Sequence, residues 1–582
     1  MRPGKKLTLG ILPAFLCLLA MLLVACGGGT SGTTTNSQKA TDSKQVLVVP
    51  LPVTDVKTWD PALSADLYST QAIDAVFTGL VQLDDNLNIH PQLAQSYSVG
   101  SDGVTWTFHL KPNLKFGDGT PLTSQDVVFS IDRALDPALG SPVGPYYLAL
   151  IKDSDKRASK KIPTLIGDSL MAPDANTVVI VTNKKAQYFL DALTYNTSYV
   201  VEKSMIQKYG NNFVSALNTG MGGAGPFTVK SYQHGKVINL VPNPYYYGPK
   251  PQLKELRFVF YSNPSTAYRA YQAGQISQTG IPTTDLASAK QLTNEYHAYP
   301  VLANSYMAMN YLTKPFDNIK IRQAFALALN KDVIAHNIYK DTVIATNHIV
   351  PKGMPGYDPN LTGPMGSTTA GNTTEAKTLF QQGLQEEGYS SVSQLPPITL
   401  TTSTGGNVDA RNENAAEQSM WQNTLGVHVT INDEDFNKLT SDTTAAINNP
   451  KGIQMWEIGW IADYPDPQDW TTLQFDNGAG QNGMNYGQNK SSDAAQQVAV
   501  QKELEAADVN PNQTQRFQQY NDAEQKLVND VAWLPVYQQE VQALIKPCVT
   551  GVVNNAQSLT PPDDWGNIYI NTNSNCSNAT VQ

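Results

Sequence analysis

Cysteine, positive charge and catalytic motifs are what this chain has least of. Its 582 residues include four cysteines, at 17, 26, 548 and 576, too few for a disulfide framework to stand in for a hydrophobic core. Lys and Arg number 40 against 50 Asp and Glu, a formal net charge of −10. An acidic exterior argues against nucleic acid and anionic lipid surfaces as partners. Beyond residue 25 no hydrophobic run is long enough to cross a bilayer. The sequence has no H-E-x-x-H, no phosphate-binding G-x-x-x-x-G-K and no G-x-S-x-G elbow. Its histidines (90, 109, 234, 297, 336, 348 and 428) include no pair at i,i+4. The glycine-rich "GMGGAGP" at 220–226 neither follows a clean strand nor opens a helix, and reads as a tight loop. Asp463, Asp466 and Asp469 do not match a calcium-loop spacing, and Asp466, between two prolines, reads as a turn residue. No nucleophile, base, metal site or cofactor is nominated.

What is present begins at the N-terminus. Arg2, Lys5 and Lys6 precede an apolar run from Leu7 to Ala25, the pattern of an export signal. Leu23-Val24-Ala25-Cys26 resembles the bacterial lipobox, which implies lipidation of Cys26 and removal of residues 1–25. The uncharged stretch that follows is expected to act as a flexible tether over 26–45, with a root-mean-square reach of about 24 Å at roughly 5–6 Å × √n. Losing three cations lowers Lys+Arg from 40 to 37 against 50 acids, so the mature charge is about −13. In an exported protein the remaining Cys548 and Cys576 are expected to pair. The mature length exceeds one ordinary core, so two or three lobes are expected.

Strands alternate with helices along the body. "QVLVVPLPV" reads as a buried strand, and Ser69–Leu80 has helical spacing with Ser69 as a possible cap. Thr105–Leu110 alternates as a strand. Thr123, with Asp126 three residues on, opens a helix by a variant capping box. "GAGPFTVKSYQHGKVINLVPNPYYY" reads as a strand pair, "LKELRFVFYSN" as a strand leading into a helix, and "KIRQAFALALNKDVIAHNIY" as one amphipathic helix. "EAKTLFQQGLQEEGY" is a helix ending at Gly388. "PPITLTTS", "VHVTIND" and "IQMWEIGWIA" are strands, and "QRFQQYNDAEQKLVNDV" is a long helix. The class is α/β with mixed sheets.

Several segments together resemble one family, the extracytoplasmic solute-binding proteins of peptide-type ABC transporters (family 5). They are "DPALSADLYSTQAIDAVFTGLVQLD", "WTFHLKPNLKFGDGTPLTSQDVVFSIDRALDP", "PFDNIKIRQAFALALNKDVI", "GWIADYPDP" and "WLPVYQQEVQALIKP", in family order from about Asp60 to Pro547. The resemblance implies a class II periplasmic-binding-protein-like fold: two large α/β lobes joined by a hinge, plus a smaller third domain. Lobe one would comprise 46–86, 217–300 and 528–582, the small domain 87–216, and lobe two 301–527.

In oligopeptide binders of this family an aspartate in the G-W-x-A-D-Y stretch receives the ligand's ammonium. The resemblance places Asp463 in that role. Gly459 to Ile461 would pair with an extended peptide as an added strand, and Trp460 would wall a side-chain pocket. Phe436, Tyr306, Tyr486 and Tyr537 match cleft aromatics, and Leu67 and Tyr68 lie on the loop that touches the ligand from lobe one. Some relatives carry an arginine just before the Gly-Trp pair; Glu457 or Ile458 holds that slot, which leaves Arg411, Lys438 or water for the ligand carboxylate. The expected protein is a monomeric, lipid-anchored receptor outside the cytoplasmic membrane that captures oligopeptides for an ABC permease and performs no chemistry on them. The alternatives are a non-peptide solute (nickel chelate, opine or oligosaccharide), or a surface enzyme or chaperone.

Overall fold

The computed structural model describes residues 38–572. The export signal, Cys26 and Cys576 lie outside the described residues. Three sheets organise the rest. Val46–Leu51 runs parallel to Glu255–Phe260, and Val237–Pro242 and Phe227–Gln233 complete that sheet antiparallel. An antiparallel sheet has the order Ala94–Val99, Thr105–Leu110, Thr177–Val181, Leu170–Asp174. The largest sheet has seven strands built on two long ones, Tyr296–Met309 and Leu534–Ile545. Met455–Ile461 lies antiparallel to the first of these, with Ile398–Thr402 and Val429–Asp433 parallel beyond it. Gln278–Gly280 and Val343–Ala345 flank the second. Among the described residues no helix is long and apolar enough to cross a membrane.

Each sheet carries its own apolar core. Leu47, Val49, Leu51 and Phe258 pack with Phe77, Val201 and Leu217. Trp106, Phe108 and Ile180 pack under Val127 and Ile131 of the helix Ser124–Ala134. The largest core gathers Met307, Phe325, Trp421, Trp456, Trp470, Tyr486 and Trp533. Leu527, Val528, Val531 to Leu534 and Val536 belong to that same core, so the chain just after 527 packs with the largest sheet. Leu87 lies in the largest core and Tyr464 in the antiparallel-sheet core, so the cores interlock.

Local chemistry accounts for most element ends. The Asp126 carboxylate accepts from both the backbone N–H (2.9 Å) and the hydroxyl (3.0 Å) of Thr123, the expected capping box. Gly388 follows the helix Thr373–Glu386 at φ 77°, a left-handed position open to glycine. The helix expected over Ser69–Leu80 instead runs Leu67–Asp74, because Asp66 accepts from the Ser69 N–H at 3.0 Å. It stops short because Val76 is turned to meet the glycine loop. A Cβ on Gly223 or Gly225 would lie 1.9 or 2.5 Å from the Val76 backbone, so those glycines serve close approach. The single helix expected at 320–339 breaks after Ile319–Leu327, since Asn330 accepts from the Val333 N–H and caps a new turn. Residues 39–45, expected to belong to the tether, pack on the body. Lys39 bridges Asn571, Ala40 N–H donates to the Ile570 carbonyl at 2.8 Å, and Gln45 is fully buried. Cys548 is buried and disulfide-bonded.

Candidate functional site

The strand Met455–Ile461 is half covered. Its inner edge pairs with Ala303–Met309 along its whole length, from Ile461↔Ala303 to Met455↔Met309. On the outer edge Ile398–Thr402 pairs only with Met455 and Trp456, and among the described residues no strand covers the edge beyond. In an antiparallel pair, alternate residues aim their N–H and C=O away from the partner. Ala462 N–H donates inward to the Leu302 carbonyl, so Glu457, Gly459 and Ile461 are the residues whose backbone groups face outward. Gly459 has no side chain to cover them, and Ile461 is 69% exposed.

The strand ends in a knot of carboxylates. Asp466 accepts from the Gln468 N–H at 2.9 Å, capping the turn Pro467–Trp470, and forms a buried ion pair with Arg516. Asp466 is therefore the turn residue its flanking prolines indicated. Among the described residues no cation forms an ion pair with Asp463 or Asp469. Asp463 accepts from the Tyr147 hydroxyl at 2.8 Å. Asp469, wholly buried, accepts from the Trp460 indole N–H (3.1 Å) and from the Asp463 backbone N–H (3.2 Å). Each keeps one buried oxygen, Asp463 Oδ2 and Asp469 Oδ1, without a hydrogen-bond partner. Burial pushes both carboxyls upward, and for Asp469 the nearby Asp463 charge adds to it. Buried acids this close resist ionising together unless a positive charge joins them.

Asp463 lies on a cavity of about 440 Å³. Its walls come from Ala65–Leu67, Thr70 and Asp74; from Tyr147 and Thr194–Asn196; from Val301–Ala303 and Ile461–Asp463; and from Ala556–Pro562. The lining holds three carboxylates, Asp66, Asp74 and Asp463, and no lysine, arginine or histidine. Burial raises Asp74 to about 7, against a smaller opposing effect of the Tyr199 hydroxyl. Burial raises Tyr195 to about 12, and its ring stacks on Tyr147 with centroids 3.8 Å apart. The lining is thus acidic and rich in aromatic hydroxyls.

Of the residues named from the sequence, Asp463, Ile461 and Leu67 line this cavity. Gly459 and Trp460 are on the strand that leads to it but do not line it; Trp460 packs against the largest core and donates to Asp469. Tyr306 and Tyr486 do not reach it. Tyr306 stacks on Trp533 at 3.6 Å inside the largest core, and Tyr486 is fully buried with its hydroxyl donating to Asp530 at 2.7 Å. A strand residue paired inward and a tyrosine beside a buried acid serve the core. Phe436 is 56% exposed at the start of the helix Phe436–Ala445, and Tyr68 packs against the first lobe's core. Tyr537 donates to the Tyr339 hydroxyl at 3.1 Å, away from the cavity. Glu457 turns inward, buried, with Asn414 donating to it. Arg411 donates to the Gly406 carbonyl and Lys438 pairs with Glu434 and Asp442. Sequence reasoning missed Tyr147, Asp66 and Asp74; the Tyr146-Tyr147 pair inside "SPVGPYYLAL" was the available signal for the first.

Residues 88–482 match the bacterial extracellular solute-binding proteins, family 5. The chain is 25% identical over 533 residues to the oligopeptide-binding protein OppA of Bacillus subtilis (strain 168), covering 89% of this chain and 92% of that one. Among solved structures, the unliganded open form of the periplasmic murein tripeptide-binding protein MppA, 24% identical, superposes with a TM-score of 0.76 over 92% of this chain and 99% of that one. Haemophilus influenzae OppA in complex with RPPGFSPFR, 23% identical, superposes at 0.65 over 92% and 100%. The fold is shared with both, and the open form fits better. With the matched region spanning more than half its length, this chain belongs to the family 5 bacterial extracellular solute-binding proteins.

Proposed function

We propose that this protein captures oligopeptides in the cavity beside Asp463 and passes them to an ABC permease. The observation that carries the reading is the buried, partnerless carboxylate oxygen of Asp463, backed by that of Asp469 behind it, beside a cavity that Asp463 lines and whose lining has no cationic side chain. A peptide's free ammonium supplies the missing charge and three donors. Its backbone then continues along the outward groups of Glu457, Gly459 and Ile461, a recognition that reads amides whatever the side chains. Leu67 and Asp66 line the same cavity as Asp463, and Tyr147, already donating to Asp463, lines it too. Closure brings them onto the ligand, excluding water and strengthening the charged contact. The hinge falls in the two long strands, whose mutual register shifts between Pro300 and Asn304 and again between Ser305 and Tyr306. Lobe one is then 46–86 and 217–300 with the tail beyond about 536, the small domain 87–216, and lobe two 301–527 extended by 528–536.

In this reading the chain is exported, anchored by lipid on Cys26, monomeric, and makes no covalent change to its ligand. Mass spectrometry of the purified protein under native conditions tests it directly. Co-purified peptides with free amino ends, released on denaturation, are the expected result. Titration with a tetrapeptide and its N-acetylated form is the second arm. Equal affinity for both forms overturns the assignment of Asp463, and hydrolysis of the peptide during incubation overturns the transport reading.

A further inference from the structure

The helix Val408–Leu425 turns Glu413 and Glu417, one turn apart, toward Glu457 on the strand Met455–Ile461. All three are buried, at 1%, 0% and 7% exposure. One carboxylate oxygen from each lies within 4.8 Å of the other two. Donors surround the cluster without saturating it: the Tyr339 hydroxyl donates to Glu413 Oε2 and Asn414 Nδ2 to Glu457 Oε2, and the Tyr537 hydroxyl, the Ser305 hydroxyl and the Asn414 amide act from farther off on Glu413, Glu457 and Glu417. Glu413 Oε1, both oxygens of Glu417 and the Asn414 carbonyl Oδ1 are buried without a hydrogen-bond partner. Among the described residues no Lys or Arg forms an ion pair with any of the three acids; the basic groups nearest in sequence are engaged elsewhere, Arg411 on Gly406 and Lys438 on Glu434 and Asp442. Three carboxylates packed so closely, beside a further unanswered carbonyl, need either protons or a cation.

We propose that Glu413, Glu417, Glu457 and the Asn414 carbonyl bind a calcium ion that ties the helix Val408–Leu425 to the strand Met455–Ile461. Oxygen atoms lying across a bound calcium at 2.3–2.6 Å are separated by about 4.6–5.2 Å, which accommodates the spread of these carboxylates. Magnesium, at 2.0–2.1 Å, demands a tight, near-ideal octahedron, whereas calcium accepts irregular geometry and completes its six to eight oxygens beyond these five with enclosed water. A donor set of oxygen alone selects a hard cation over zinc or copper. Glu417, with both oxygens unanswered, is the bidentate ligand. Glu413 and Glu457 each offer one oxygen while Tyr339 and Asn414 hold the other, which fixes the carboxylates as outer partners do in metal sites. Two positive charges leave about one negative charge on the cluster, shared with those donors. The site lies behind the outward-facing backbone edge, two residues from Gly459, so its occupancy stiffens the strand. It is separate from the carboxylates of Asp463 and Asp469 and stands or falls apart from the peptide reading.

The test takes the full chain, stripped with a chelator, and titrates it with calcium chloride at neutral pH by calorimetry and thermal melting, with magnesium and manganese chlorides as parallel arms. One calcium per chain and a melting temperature that rises with calcium and falls again with chelator are expected. The variant Glu417→Gln, isosteric and relieved of a buried charge, is expected to fold, to melt at least as high as the stripped protein, and to bind calcium at least tenfold more weakly. Absence of calcium binding by the unmodified protein overturns the proposal in favour of shared protons. So does an undiminished calcium response in Glu417→Gln, and so does a response to magnesium with none to calcium.

Discussion

Replacing Asp463 by asparagine separates its charge from its shape. The Tyr147 hydroxyl, 2.8 Å from Oδ1, retains an acceptor in the amide oxygen, so the local geometry persists. Oδ2, buried and partnerless, becomes an uncharged donor facing where the ligand ammonium is placed. Truncating one partner of a buried charged pair typically costs about 2–5 kcal/mol. At about 1.4 kcal/mol per tenfold, affinity for a free-amino peptide should fall by about 30-fold to a few thousand-fold. The unliganded protein should respond in the opposite sense. Burial raises the carboxyls of Asp463 and Asp469, and the Asp463 charge raises Asp469 further; removing one acid relieves the other. Its melting temperature should therefore hold or rise. Calorimetric titration at neutral pH, with an N-acetylated peptide as control, reads both effects, since the acetylated peptide should bind the two proteins alike. A change of less than threefold for the free-amino peptide, or an equal loss for the acetylated one, refutes the ammonium assignment.

Three further outcomes follow from the same geometry. Peptides N-methylated at the alternate residues that donate to the strand edge should bind at least tenfold more weakly than their unmethylated forms, while methylation at the intervening residues should be tolerated; calorimetry distinguishes the two registers. Arg516→Met leaves Asp466 as an unpaired buried charge and should destabilise by about 3–5 kcal/mol, measured by urea unfolding; a loss under 1 kcal/mol contradicts the pairing with Asp466. Burial raises Glu524 from 4.5 to about 8 although two backbone N–H groups, of Ile349 and Val350, donate to it at 2.9 Å. The folded state holds this proton more tightly than the unfolded chain, so its stabilising effect is complete below about pH 4.5 and is lost as pH rises toward 8, by up to about 5 kcal/mol. Burial lowers His348 to about 4, so its effect runs the other way, and stability falls as pH drops from 6.5 toward 4. Glu524→Gln should flatten the alkaline limb of the unfolding free energy against pH and leave the acidic limb; an unchanged alkaline slope contradicts the raised carboxyl.

Elements whose causes are local were readable from the chain. The strand Thr105–Leu110 alternates buried and less buried residues, and the Thr123–Asp126 capping box needs only a three-residue spacing. Where several local signals compete, spacing alone misplaces the boundary. Asp66 rather than Ser69 caps the first helix, and Asn330 interrupts a pattern that reads as continuous. The helix Val408–Leu425 escaped an apolar-periodicity reading because its inward face carries Glu413, Asn414 and Glu417. That same polarity is what makes it a candidate cation site.

By itself the sequence determined the class of fold and the family, and it singled out Asp463 as the acid to examine, because each rests on residues close together or on a motif in fixed order. The tertiary structure decided what surrounds that acid. Tyr147 comes from 316 residues away to meet it, Asp469 turns back beside it, and the cavity that Asp463 lines has no cationic side chain in its wall. It also decided that Tyr306 and Tyr486 belong to the core and that Glu457 faces two other glutamates. Those outcomes depend on which face of a strand is buried and which distant segment covers it, and a free-energy balance over the whole packed chain sets both.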